Sequence, residues 1–404
     1  MKKLIFLGIV FLFLACPPTA KNSARIYIQR GEYEAAKQQI LSGIKTAPSD
    51  YEYYVLLAKV EIGMANWLAA SEAFAQSIAV DSAKTISWLF ADKQNISVYW
   101  QAFYNAAVSQ MVEMKYSEAL ANLEYCEILD PGNVSQYILE GGIHSELGEI
   151  DEASAAYTKA LFIDPDNPEA HFLIGKAKFD RSLYDESIAD FKQAEKHFTV
   201  RYERISGTIF QNLPAVDKEI ANEIMRLWGE ENEEELDMLI KVNLGFDGGL
   251  NTQRRPIEQF YKTTEGLART HYYTGMAYYN LKKDSLALQS LLKSVELEED
   301  DVDALFFAGE IYVKMRKYDE ATWFFNKITE LNPDDAYAWF YLGVNYMQKK
   351  EYQKAADIYE NKVLALEPRN VDAMTNLAYV YREMGNTKKA LEWLTKAEKL
   401  LKEQ

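Results

Sequence analysis

Ala336 to Asn370, AYAWFYLGVNYMQKKEYQKAADIYENKVLALEPRN, reads as two amphipathic helices. The first carries Trp339, Leu342, Gly343 and Tyr346 at spacings of three, one and three, which puts the large groups on one face with a glycine between them. A second helix can approach closely at that glycine. After Lys350 and Glu351, a following segment places Tyr352, Ala355 and Tyr359 on its inner face, and Pro368 stops it by lacking an N–H and restricting the residue before it.

Most of the chain can be laid against this stretch. The order Trp, Leu-Gly, Tyr, Ala, aromatic and Pro resembles the tetratricopeptide repeat, a helix pair with a period of about 34 residues. That resemblance implies an all-α superhelix of stacked helix pairs, here in two arrays separated by a helical insertion. The N-terminal array covers residues 23–201. Its first repeat is partial, with Ala24, Tyr27, Gly31, Tyr33, Ala36 and Ile40 in register. Complete repeats follow over Tyr51 to Lys84, Trp100 to Asn133, Val134 to Asn167 and Pro168 to Arg201. The C-terminal array covers 268–404, as Ala268 to Asp301, Val302 to Asp335, the opening stretch with one extra residue before Pro368, and Val371 to Gln404. Together the repeats account for roughly four fifths of the chain.

Two segments depart from the period. Residues 85–99 contain Trp88, Leu89 and Phe90, and either lengthen the next helix or form an irregular corner. Residues 202–267 are longer. Phe198, Tyr202, Ile205 and Ile209 keep helical spacing toward Pro214, which predicts that the last helix of repeat five runs on. Pro214 then opens a helix through Trp228, and Glu230 to Glu235 begins another whose acids suit a helix N-terminus. Gly245 to Pro256 is expected as a loop. It lacks a Gly-Lys-Ser/Thr ending, so it is no phosphate loop. The insertion is either a packed spacer that redirects the stack or a loop-bearing segment that carries partner contacts.

The N-terminus has a different character. MKKLIFLGIVFLFLAC places two lysines before an apolar run from Leu4 to Leu14. That run is too short to cross a bilayer comfortably but has the form of a secretory signal. Its ending, Phe13-Leu14-Ala15-Cys16, resembles a bacterial lipobox, although a leucine and a small residue are commoner where Phe13 and Leu14 stand. The resemblance implies a signal peptide of residues 1–15, removed on maturation, and acylation of Cys16, with 16–22 as a short tether. Pro17 follows the cysteine where aspartate would favour inner-membrane retention, so an outer-membrane site is expected.

Charge narrows the partners. Lys+Arg 44 against Asp+Glu 61 gives a formal charge of -17, which falls to -19 if Lys2 and Lys3 leave with the signal. Such a chain offers no basic footprint to nucleic acid and does not adhere to anionic lipid by itself. Membrane attachment would then rest on acyl chains. The cysteine count of 2 gives no disulfide framework, and Cys126 stands at a position where other repeats place alanine, so a buried, inert thiol is expected.

No catalytic, metal or cofactor site is expected. His144, His171, His197 and His271 lack ligand spacing, and His171 and His271 stand where other repeats carry aromatic residues. Nucleophile-elbow, zinc-protease and dinucleotide motifs are absent from the sequence. What remains is the surface of the first helices, which the resemblance implies lines a concave groove. The side chains expected there are Tyr104, Met111, Phe172, Phe179, Tyr272, Met276, Tyr279, Phe306, Val313, Phe340, Met347, Tyr379 and Arg382. Two roles fit such a surface. One is a cell-envelope lipoprotein that docks an extended or helical segment of a protein partner. The other is an accessory that captures a small apolar molecule for a transporter, in which case a closed pocket beside Trp228 and Phe246 is expected.

Overall fold

The computed structural model describes residues 20–213 and 217–403, and among them every regular element is helical. The signal segment, Cys16 and Pro214 lie outside the described residues. The chain divides into two compact units, Met1–Asp164 and Pro165–Gln404. Repeat five therefore groups with the insertion and the later repeats. No described helix is long and apolar enough to cross a membrane.

In the first unit the helices are α1 (Ala20–Gln29), α2 (Tyr33–Thr46), α3 (Tyr51–Gly63), α4 (Trp67–Val80), α5 (Ser82–Ala91), α6 (Ile96–Val112), α7 (Tyr116–Leu129), α8 (Val134–Glu146) and α9 (Ile150–Ile163). Helix α1 starts within the expected tether and takes in its last three residues, 20–22. Residues 85–99 fulfil both expectations in part: α5 is a separate short helix, a corner follows it, and α6 starts four residues ahead of Trp100. Leu89 of α5 is buried in a core with Phe74, Tyr99 and Phe103, which is what holds this inserted turn down.

The second unit contains α10 (Pro168–Asp180), α11 (Tyr184–Ile209), α12 (Lys218–Gly229), α13 (Glu233–Val242), α14 (Gly249–Asn280), α15 (Asp284–Leu297), α16 (Val302–Lys314) and α17 (Tyr318–Leu331). It continues with α18 (Ala336–Gln348), α19 (Tyr352–Ile358), a π turn (Tyr359–Val363), α20 (Leu364–Leu366), α21 (Val371–Glu383) and α22 (Thr387–Glu403). The first helix of most pairs opens on an aspartate or asparagine cap. Asp335 accepts from the N–H groups of Tyr337 and Ala338 at 2.9 and 3.1 Å, and Asn370 from Ala373 N–H at 2.8 Å. These caps satisfy donors that a helix start leaves unpaired.

Within each pair the turn between helices uses one left-handed residue: Gly31, Ala65, Met114, Gly148, Ser182, Lys282, Arg316, Lys350 and Gly385. These residues recur every 34 positions except at three places. The gap from Ala65 to Met114 holds the α5 insertion, and that from Ser182 to Lys282 holds the long insertion. The gap from Lys350 to Gly385 is 35 and holds the extra residue before Pro368. That residue is absorbed by the π turn at Tyr359–Val363, which takes up one residue without ending the helix.

The long insertion is a helical hairpin, α12–α13, flanked by two extended helices. Helix α11 runs on to Ile209, as expected, and α14 starts at Gly249 and continues without a break into the next repeat. The expected loop from Gly245 to Pro256 is therefore shorter, because Pro256 lies inside α14. Proline in a helix costs about 3 kcal/mol. Here Leu250, Ile257 and Phe260 are buried against Ile209, Phe210, Ile224, Leu236 and Ile240, and that apolar burial, at 1.5–3 kcal/mol per large side chain, outweighs it.

Candidate partner-binding face

The first helices of the later repeats lie side by side, and their face is tied together by rings. Phe307 meets Tyr279 at 5.5 Å, and Phe306 meets Tyr337 and Tyr341 at 5.2 and 4.9 Å. Phe340 lies 5.6 Å from Tyr341 and 5.9 Å from Tyr359. The centroids sit at edge-to-face or tilted separations that favour ring pairs over isolated rings. The run passes from α14 through α16 to α18. Its outermost member, Tyr337, is 57% exposed and shares a hydroxyl contact of 3.1 Å with Tyr341.

A polar knot closes one end. The Tyr279 hydroxyl donates to the Glu310 carboxylate at 2.9 Å, and Lys314 Nζ donates to the same hydroxyl at 2.6 Å while lying 3.9 Å from the ring centroid. Partial burial works against the Lys314 charge, but its hydrogen bonds to Tyr279 and Glu310 hold its pKa above the usual lysine value. On α21, Tyr379 is 40% exposed with the Arg382 guanidinium 5.0 Å from its ring centroid. Tyr272 and Val313 are half-buried against the α15–α17 core, and Met347 against the α19–α21 core. Met276 is half-buried on α14.

The remaining expected residues have other surroundings. Phe172 is 6% exposed, packed with Phe191, Phe198 and Leu267, and with Phe179 it brackets Tyr273 at 5.6 and 5.5 Å. Phe172 is thus corrected from a groove residue to a core residue, because the extended α14 brings Tyr273 and Leu267 over it. In the first unit Tyr104 stacks on Trp100 at 4.7 Å, and Met111 packs beside Gly142. Sequence reading missed Phe307, Tyr337, Tyr341, Glu310 and Lys314. Tyr337 and Tyr341 stand in the quoted opening stretch, two positions to either side of Trp339, and their i, i+4 spacing was the available signal.

The histidines occupy varied settings. His271 is buried, and that burial depresses its pKa to about 4, so it is neutral at pH 7. His171 stacks on His197 with ring centroids 5.6 Å apart, and His144 Nδ1 lies 2.7 Å from Glu149. Among the described residues no cluster of His, Cys, Asp and Glu is arranged to hold a metal ion.

The insertion carries two clefts. One, of about 470 Å³, has Leu227 and Leu236 at its base, Trp228 and Tyr261 along its sides, and Gly229, Glu231, Glu233 and Arg254 around it. It is open to solvent. Phe246 packs into the hairpin core rather than lining it, so the closed pocket that a captured apolar molecule would need is not formed here. The other cleft, of about 700 Å³, lies between α12 and the α15–α16 corner and also touches Tyr261.

Models of the tetratricopeptide repeat match three stretches: one described as TPR repeat at residues 141–182, and two described as tetratricopeptide repeat at 308–364 and 346–401. No curated protein matches. Among solved structures the chain is similar to YrrB, described as a TPR protein with an unusual peptide-binding site, at 20% identity over 62% of this chain and 95% of that one, with a TM-score of 0.41. It is also similar to MamA, at 22% identity over 39% of this chain and 91% of that one (TM-score 0.33), and in another structure at 19% over 59% and 94% (TM-score 0.38). The chain carries tetratricopeptide repeats, and its described residues form the all-α helix pairs that those repeats build.

Proposed function

We propose that this chain is a non-enzymatic scaffold of the bacterial cell envelope, held at the membrane by acyl chains on Cys16, that docks a segment of a protein partner on the first-helix face of its later repeats. The observation that carries the binding part is the continuous run of rings from Tyr279 to Phe340, with Tyr337 and Tyr379 turned to solvent. Exposed aromatic residues on rigid helices supply contact area at small entropic cost, and such anchors dominate protein interfaces. Tetratricopeptide repeats as a class bind protein or peptide partners, which supports an extended or helical segment as the occupant. The lipid part rests on the sequence Met1 to Cys16 and its likeness to a lipobox.

Crosslinking with mass spectrometry on intact membranes tests both parts. The Tyr279→Ala, Met347→Ala, Tyr379→Ala triple variant is expected to lose its crosslinked partner with an unchanged circular dichroism spectrum. Retention of the partner removes this face from consideration. Cys16→Ala is expected to leave the membrane fraction, and a variant that stays there defeats the anchor.

A further inference from the structure

The insertion offers a second surface, separate from the ring face. Its smaller cleft has an apolar base, Leu227 and Leu236, both buried, and two aromatic sides, Trp228 and Tyr261. Gly229 lines it too: a Cβ built there would meet the Tyr261 hydroxyl at 3.6 Å, an ordinary contact, so a larger side chain at this position would extend toward the cleft. Three charged groups stand around it. Glu233 is engaged by Arg254 at 2.8 Å, whereas Glu231, at the tight α12–α13 turn, is an exposed carboxylate.

Tyr261 also borders the larger cleft, which is lined by Glu219, Glu265, Glu298, Glu299 and Asp301, while its two cations, Arg226 and Lys327, are already engaged by Glu223 and Asp300 at 2.7 and 3.6 Å. Glu299 is bound by Asn222 at 2.7 Å, and Glu298 is half-buried at the end of α15. Two cavities that share one tyrosine, the first with apolar and aromatic walls and a charged rim and the second with more carboxylates than cations, are complementary to a chain of aliphatic stems ending in positive charge. Lysine and arginine have that form. A cation beside Trp228 and Tyr261 is further attracted by the ring faces.

We infer that the insertion is a docking site for a basic segment of a protein partner, which seats the stem of one lysine or arginine between Trp228 and Tyr261 and lays its other cations along the neighbouring carboxylates. This rests on the reading of the chain as a partner-binding scaffold but names a different surface and a specific chemistry. It also gives the insertion a role that a spacer lacks.

The probe is an acetylated, amidated peptide of alternating lysine and glycine, compared with the same peptide carrying glutamine for lysine and with free butylamine. Binding to the full chain in mild detergent is followed by calorimetry and by the indole N–H resonance of Trp228, assigned with Trp228→Phe. The lysine peptide is expected to bind, to shift that resonance and to weaken as salt is raised. Gly229→Leu and the Glu219→Gln, Glu231→Gln pair are each expected to weaken it about tenfold while circular dichroism stays unchanged. Equal binding of the glutamine peptide, or no binding by either peptide, overturns the inference. Butylamine that binds as tightly as the peptide also overturns it, since the site would then take small cations. If the Tyr279, Met347, Tyr379 triple variant abolishes peptide binding and Gly229→Leu does not, the basic segment belongs on the ring face; the insertion site is then rejected and the scaffold reading stands.

Discussion

A Cβ placed on Gly343 would stand 2.8 Å from Cε1 of Tyr359, closer than packed carbon atoms tolerate. Tyr359 is fully buried and projects from the partner helix across the backbone of α18, so the glycine is what lets the two helices of this repeat close. The same relation recurs between Gly141 and Tyr157, where the Cβ would lie 2.3 Å away.

Gly343→Ala is therefore expected to destabilise the protein. Alanine is the better helix former by about 1 kcal/mol, but overpacking a close-fitting core costs about 1–3 kcal/mol, and Tyr359 is not a flexible side-chain end that can swing aside. A lower thermal midpoint is expected. An unchanged or raised midpoint would show that Tyr359 has room that its surroundings do not suggest.

The opposite sign is expected at Arg316. This exposed residue holds φ at 59°, the left-handed conformation that glycine occupies at the equivalent turns of Gly148 and Gly385. A side chain with a Cβ is disfavoured there by roughly 1–2 kcal/mol, while glycine adds unfolded-state entropy of roughly 0.4–1 kcal/mol. The balance favours Arg316→Gly by a few tenths to about 1 kcal/mol. Denaturant titration of that variant beside Arg316→Ala separates conformational strain from loss of charge, since only the glycine should raise the midpoint.

The helix pairs were legible because their signals are local: an apolar spacing, a small residue at the crossing, a turn, and a proline or cap every 34 positions. The extra residue before Pro368 was also visible, but its absorption into a π turn depends on how Tyr359 and Val363 pack, which spacing does not record. Pro256 misled for a related reason. Its local preference ends helices, whereas tertiary burial of Ile257 and Phe260 in the core shared with the hairpin keeps α14 continuous. The ring face was half legible: register placed Phe306 and Phe340, but the partners that join them, Tyr341 and Phe307, come from positions whose contacts cross between repeats.

Cys126 gives a chemical check on the packing. Its thiol is buried, donates weakly toward the Trp100 carbonyl at 3.7 Å, and is pushed up to a pKa of about 12 by that burial. Thiolate is the reactive form, so alkylation at neutral pH is doubly impeded. The peptide containing Cys126 is expected to be unmodified by iodoacetamide in the native protein and fully modified in denaturant. Rapid native labelling would mean that α6 and α7 separate far more readily than their packing implies.

The final expectation concerns pH at the α15–α16 corner. Burial, with Asp301 and Glu265 nearby and only Arg269 opposing them, pushes the Glu298 carboxyl up to about 7 from an ordinary value of 4.5. The folded chain therefore keeps this proton between those values while the unfolded chain releases it. Since the unfolded state then binds fewer protons, stability from this group falls as pH rises from 4.5 toward 7 and is level above it. Carboxylates held low by lysine or arginine, such as Glu233 beside Arg254 and Asp237 beside Lys241, act in the other direction and at more acid pH, where their protonation removes stability. Glu298→Gln cannot ionise. Its midpoint relative to the parent is thus expected to be higher near about pH 8 and to converge with it near about pH 5. Equal differences at both pH values would mean that the Glu298 carboxyl ionises as freely in the folded chain as in water, and that the corner is less enclosed than its carboxylates and the α12 hairpin make it.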